Sequence, residues 1–267
     1  MNKIVAHRGF SSRKLENTMD AFKLAFGEKY IDMVELDIRM TSDKKIVCIH
    51  DNFIMNNYRK EYIKKMTYEE LRKPILHDTD FFIELLKYIT KFSSLWNAFY
   101  LLRYKRKKGT IPLLEDVLEI LPLSKEVIVE IKGSNSDYDD DTYEEEILKV
   151  LDKYSNKKIS VMSFDKNIIM SIKKKRPKLK LGILIDKNLN DINLPVDFVS
   201  MSYKVINYEN IEKLLKSKKT IVLWTINTYG EYLYLKKQCA DLFGKIAITT
   251  DFPDLINYLL KRDMATK

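Results

Sequence analysis

The chain has 267 residues, 45% of them hydrophobic and 32% charged, with a formal net charge of +9. That length and apolar content bury a core of domain size, and Cys48 and Cys239, far apart and outside any CxxC pair, exclude a disulfide-stapled scaffold. The positive balance favours anionic partners such as phosphate esters or lipid headgroups, whereas nucleic acid is excluded for want of zinc-finger spacing, an RNP-like sequence or a uniformly basic helix. No apolar run approaches the length of a membrane span, and no apolar h-region follows the N-terminus, so a cytoplasmic chain is expected.

In chain order, residues 3–7 (KIVAH) are short, β-branched and apolar, which predicts a strand ending in Arg8-Gly9. Residues 16–26 carry Met19, Phe22 and Phe26 at helical spacing, with Gly27 as a C-cap. Residues 33–40 (MVELDIRM) predict a second strand, 41–45 a polar turn and 46–50 a returning strand. Thr67 caps a short helix, with Glu70 at capping-box spacing. Residues 80–108 are rich in aromatics and Leu at helical spacing and end in the basic cluster Arg103 to Lys108. That segment predicts an insertion helix packed on the mouth of the domain or on a second subunit, or an interfacial helix making peripheral contact with anionic lipid.

From residue 113 the patterns alternate. Helices are expected at 113–121, 143–154, 166–174, 208–215, 231–237 and 253–260, and strands at 127–132, 159–162, 179–185, 198–201, 220–224 and 246–249. Such short apolar strands are buried on both faces, as in a parallel sheet. The whole predicts an α/β fold, a (β/α)8 TIM barrel running from 2 to 262 with a divergent helical insertion at about 52–110. A doubly wound open sheet is the alternative.

A barrel places its functional residues at the C-terminal ends of its strands. His7, Glu35, Asp37, His50, Glu130, Lys132, Trp224 and Asn227 all fall there. Glu35 and Asp37 are spaced i,i+2, so on a strand they share one face, while Val34, Leu36 and Ile38 take the other. Glu130 and Lys132 repeat the spacing. Three carboxylates suit Mg2+ or Ca2+ better than Zn2+. His7 and His50 flank the acid pair and could act as base and acid in displacement at phosphorus, and Arg8 has the fork geometry for phosphate oxygens. His77 has no partner pattern and reads as structural or surface.

With AHRGF (6–10), ENT (16–18), VELDIRMTSD (34–43), HD (50–51), TYEEL (67–71), IPLLEDVL (111–118), VEIK (129–132), SFD (163–165), WTIN (224–227) and ITTDFPDL (248–255), the chain resembles the glycerophosphodiester phosphodiesterases. The motifs fall in that family's order and cover nearly the whole chain except about 52–66 and 75–110. The resemblance implies metal-dependent hydrolysis of a small glycerophosphodiester to glycerol 3-phosphate and an alcohol. It implies that Glu35, Asp37 and Glu130 hold Mg2+ or Ca2+, that His7 and His50 are the acid–base pair, and that Arg8 and Lys132 bind phosphate. Trp224 would wall the substrate pocket, and Glu16 and Asn17 would order the first loop. Three positions depart from the pattern: Leu15 replaces Pro, NFIMNNYRK follows Asp51, and Met162 replaces a small polar residue. The alternatives are lysophospholipase D-like action on membrane lipids and a non-catalytic phosphodiester-binding barrel. The sequence leaves the oligomeric state, the native metal and the alcohol headgroup open.

Overall fold

The computed structural model describes residues 2–56, 59–72, 75–76, 108–133, 135–138, 142–187 and 189–265. Among them the strands are β1 (Lys3–Ala6), β2 (Met33–Met40), β3 (Ile46–Cys48), β4 (Phe53–Asn56), β5 (Arg59–Tyr62), β6 (Ile75–Leu76), β7 (Lys108–Gly109), β8 (Glu126–Ile131), β9 (Lys158–Ser163), β10 (Lys180–Ile185), β11 (Phe198–Ser202), β12 (Thr220–Trp224) and β13 (Ala247–Thr250). Eight of these, β1, β2 and β8 to β13, pair in parallel in that order, and β13 returns to β1. The sheet is therefore a closed (β/α)8 barrel, and the open-sheet alternative is ruled out.

Side-chain alternation sorts the barrel strands into two cores. Val5, Met33, Ile128, Met162, Leu184, Phe198, Val222 and Ala247, one from each barrel strand, pack together as the barrel's interior. Their chain neighbours, among them Ile4, Val34, Val127, Val161, Ile183, Val199, Ile221 and Ile248, belong to a second cluster shared with the helices outside. This two-sided burial is why the strands read as unbroken apolar runs. The outer cluster is completed by helices at Met19–Gly27, Leu114–Glu119, Tyr143–Lys153, Lys166–Lys175, Tyr208–Lys216, Tyr229–Cys239 and Pro253–Ala265. Between β10 and β11 the described crossover carries only a 3-10 turn, Asn190–Asn193.

Three local expectations change. The helix expected from residue 16 begins at Met19, because Thr18 caps it and Asn17 adopts a φ of 53°, which no α-helix accommodates. The returning strand stops at Cys48 and pairs antiparallel with β2, outside the barrel. Beyond it β4 and β5 form a hairpin that periodicity did not announce. The predicted insertion helix at 80–108 falls, save its last residue, outside the described residues, as does His77. No helix among the described residues is long and apolar enough to cross a membrane.

Candidate active site

Parity along the strands aims the chemistry inward. Glu35 and Asp37 continue the inward row that starts at Met33, and Glu130 continues that of Ile128. Asp37 and Glu130 are cross-strand partners in the β2–β8 ladder. Glu35, Asp37 and Glu130 are all buried and offer one oxygen each within 4.8 Å of one another. Lys132 Nζ lies 3.1 Å from Asp37 Oδ1 and also contacts Glu130 Oε1.

The loop after β1 is folded onto this cluster. Arg8 and Asn17 both take left-handed backbone, with φ of 54° and 53°, and Gly9 follows at 80°. A Cβ on Gly9 would sit 2.8 Å from Ala21, so only glycine lets this turn lie against the first helix. The Arg8 backbone N–H donates to Glu35 Oε2 at 3.0 Å, its Nη1 donates to Glu16 Oε1 at 2.7 Å, and its Nε lies 3.0 Å from Asp37 Oδ2. Asn17 Nδ2 donates to Asp37 Oδ2 at 2.8 Å, while the Asp37 N–H donates to Asn17 Oδ1 at 3.2 Å. Glu16 and Asn17 thus order the loop, as expected from sequence, by gripping Arg8 and Asp37.

Each histidine has an aspartate on Nδ1. His7 Nδ1 lies 2.6 Å from Asp251 Oδ1, and its Nε2 lies 3.9 Å from Glu35 Oε2. His50 Nδ1 lies 2.7 Å from Asp51 Oδ1, and the His50 carbonyl accepts from Arg39 Nε at 2.8 Å. Asp251 also accepts from Ser11 Oγ at 3.1 Å and from Asn227 Nδ2 at 2.5 Å. It is the residue that sequence reasoning missed: its motif was visible, but a partner 244 positions from His7 was not.

The electrostatics follow from burial against pairing. Burial, and then the neighbouring Asp37 carboxylate, push Glu35 up to about 8. The same two causes raise Glu130. Burial works against Asp37 too, but Arg8, Lys132 and the two histidines outweigh it and hold its pKa well below the usual carboxylate range. For His7, burial and Arg8 act downward, yet Asp251 and Glu35 prevail and lift it to about 9. Glu35 Oε1 is buried without a hydrogen-bond partner. A crowded set of buried oxygens, one of them unsatisfied, fits a hard cation, which would replace the proton that Glu35 otherwise holds.

Trp224 ends β12, packs on the barrel-interior cluster and meets Phe164 edge to face, with centroids 6.2 Å apart. Met162, the departure from the family pattern in the SF motif, stands beside Glu130 in the β8–β9 ladder and packs in the barrel interior.

The chain is 27% identical over 265 residues to a glycerophosphodiester phosphodiesterase from Bacillus altitudinis, covering 95% of this chain and 96% of that protein. It is likewise 27% identical over 266 residues to one from Caldanaerobacter subterraneus, covering 97% and 98%. Among solved structures, a phosphodiesterase from Oleispira antarctica, in complex with the product sn-glycerol-3-phosphate, superposes with a TM-score of 0.73 at 19% identity, covering 98% of this chain and 97% of that one. The family model described as the glycerophosphoryl diester phosphodiesterase family matches residues 7–255. A match that runs from the first histidine of the site to beyond its last aspartate makes the chain a member of the glycerophosphoryl diester phosphodiesterase family.

Proposed function

We propose that the chain hydrolyses small glycerophosphodiesters to glycerol 3-phosphate and an alcohol, with Glu35, Asp37 and Glu130 holding Mg2+ or Ca2+ and with His7 and His50 as the acid–base pair. The observation that carries this reading is the trio of buried carboxylates within 4.8 Å, unbalanced enough to raise Glu35 to about 8. An all-oxygen donor set selects a hard cation. When bound, it supplies charge stabilisation at a phosphate oxygen and acidifies a coordinated hydroxyl.

The chain's own residues do the rest. Asp251 holds the His7 proton on Nδ1, so Nε2 is the atom left to exchange a proton at the reacting centre. Asp51 orients His50 in the same way. One imidazole takes the proton of the attacking hydroxyl or water, and the other returns one to the departing alkoxide. Lys132 brings a cation beside the acids, and Arg8 keeps Nη2 without a partner among the described residues. Both suit phosphate oxygens as negative charge gathers there. Trp224 forms a wall of the pocket. The product bound to the Oleispira antarctica relative supports glycerol 3-phosphate as the product here.

The test is release of glycerol 3-phosphate from glycerophosphocholine and glycerophosphoethanolamine, with EDTA and then with Mg2+ or Ca2+ restored. Release that EDTA stops and one metal restores is expected. A folded protein that releases none with any metal would remove this reading and send the assay to lysophospholipid vesicles.

A further inference from the structure

Arg39 follows Asp37 by two residues on β2, so it continues the face that carries Glu35 and Asp37. The β2–β8 register runs to Ile38 and Ile131, and the Lys132 N–H extends it by donating to the Ile38 carbonyl at 3.2 Å. Arg39 and Lys132 therefore form a cationic layer one step nearer the mouth than Asp37 and Glu130. Arg39 is half-buried, and its Nε donates to the His50 carbonyl at 2.8 Å. Among the described residues no acceptor meets its Nη1 or Nη2. Arg8 and Lys132, by contrast, are paired, the first with Glu16 and Asp37 and the second with Asp37 and Glu130.

A half-buried guanidinium without a carboxylate lacks the partner that would offset its lost hydration. The bond to His50 uses Nε alone and leaves the Nη1–Nη2 edge, which can grip both oxygens of one carboxylate. The reactive phosphate is answered one layer down, by Arg8 and Lys132 beside the acid trio. Two residues of strand span about 6.6 Å, so Arg39, pinned at His50, meets a group a few bonds beyond the phosphorus. A substituent that departs past His50 comes within reach of this edge. The glycerol moiety brings only neutral hydroxyls. The anion that suits an unpaired guanidinium is therefore carried by the alcohol to be released.

On the reading given under Proposed function, we infer that Arg39 is a specificity-determining residue whose guanidinium takes an anionic group on the departing alcohol. The preferred substrates are glycerophosphodiesters with a negatively charged headgroup, with the carboxylate of glycerophosphoserine as the simplest case. Diesters of ethanolamine and choline are still hydrolysed, but they leave the Nη1–Nη2 edge unpaired.

The experiment is a cycle between one substitution and one substrate change. Wild type and Arg39→Gln are compared on glycerophosphoserine and glycerophosphoethanolamine, with the restoring metal present. The two diesters share glycerol, phosphate and ammonium and differ by a single carboxylate. Wild type is expected to show a kcat/KM about 10-fold higher on glycerophosphoserine, mostly through KM, which is the lower range of one hydrogen bond to a charged group. Glutamine keeps an N–H donor for the His50 carbonyl and removes the charge and the fork. In Arg39→Gln the two kcat/KM values are therefore expected to converge, and any loss common to both substrates cancels from their ratio. A ratio that stays at its wild-type value in Arg39→Gln overturns the inference. So do equal wild-type values on the two diesters, a measurement that needs no variant to fold. Wild type that releases glycerol 3-phosphate from neither diester with any metal overturns the hydrolase reading and this inference with it, whereas equal release from both overturns this inference alone.

Discussion

His7 Nδ1 and Asp251 Oδ1 lie 2.6 Å apart although 244 positions separate the two residues. The barrel's closure makes this bond. Ala6 and Thr250 are register partners of the first and last strands, so the next residue of each emerges side by side at the mouth. Asn227, just beyond β12, grips the other Asp251 oxygen through Nδ2 at 2.5 Å and accepts the Asp251 N–H at 2.9 Å. Three neighbouring strands therefore fix the orientation of one imidazole, and ring closure is a condition of the chemistry as well as of the fold.

Asp251→Asn tests that dependence. The substitution keeps the shape but removes the charge that lifts His7 to about 9 against burial and Arg8. The His7 pKa should fall, and its proton should no longer be confined to Nδ1. We expect kcat to drop about 100-fold, the lower part of the range for positioned acid–base catalysis, with KM little changed. The limb of the kcat–pH profile that belongs to His7 should move to lower pH. Turnover at the wild-type level would show that Nε2 of His7 is not the proton-transfer atom.

The acid cluster predicts a pH-dependent stability in cation-free protein. Burial and Asp37 raise Glu35 from 4.5 to about 8. A raised carboxyl binds more protons folded than unfolded between those values, so the folding free energy weakens as pH climbs from about 4.5 to 8. His7, lifted to about 9 despite burial, acts in the same direction as pH rises from 6.5. The Tm in EDTA should fall from pH 5 to pH 8. Added Mg2+ or Ca2+ should restore more at pH 8 than at pH 5, because the cation competes with the Glu35 proton. A Tm in EDTA that is flat across this range would contradict the burial of the trio.

Much of this was legible along the chain because it rests on short-range parity. Alternation in MVELDIRM put Glu35 and Asp37 on one face, and VIVEIK did the same for Glu130 and Lys132. What escaped depended on three-dimensional closure or on single backbone angles. Asp251 reaches His7 only through the β1–β13 pairing, and Phe164 meets Trp224 only across the mouth. The start of the first helix turned on the left-handed Asn17, which periodicity does not encode. The β4–β5 hairpin escaped because Arg59–Tyr62 presents no buried residue and hence no apolar face.

Asn17→Gly separates side chain from backbone. Glycine accepts the φ of 53° without strain, so what disappears is the pair of bonds to Asp37. The buried Asp37 N–H is left without its acceptor, a loss of about 1–3 kcal/mol in urea unfolding. Because Asp37 is then less firmly held, cation affinity should fall about 10-fold, the lower end for groups that orient a ligand. Loss of stability without loss of cation affinity would mean that Asn17 serves the loop alone.

Gly182→Ala probes how the barrel is filled beneath the site. Gly182 is the register partner of Phe198, and a Cβ there would lie 2.3 Å from Phe198 Cε2. Phe198 is fully buried and belongs to the interior cluster, with Lys180 Nζ 5.8 Å from its ring centroid. The ring cannot retreat without displacing that layer, so overpacking should cost about 1–3 kcal/mol. Shortening the ring should give the methyl room. Gly182→Ala with Phe198→Leu is therefore expected to be less destabilised than the sum of the single variants, with a coupling of about 0.5–3 kcal/mol in denaturant unfolding. Strict additivity would mean that the glycine is not what admits the aromatic ring. Turnover in Gly182→Ala should stay near wild type, since the three atoms nearest the new methyl all belong to Phe198 and β9 stands between Gly182 and Glu130 in the sheet.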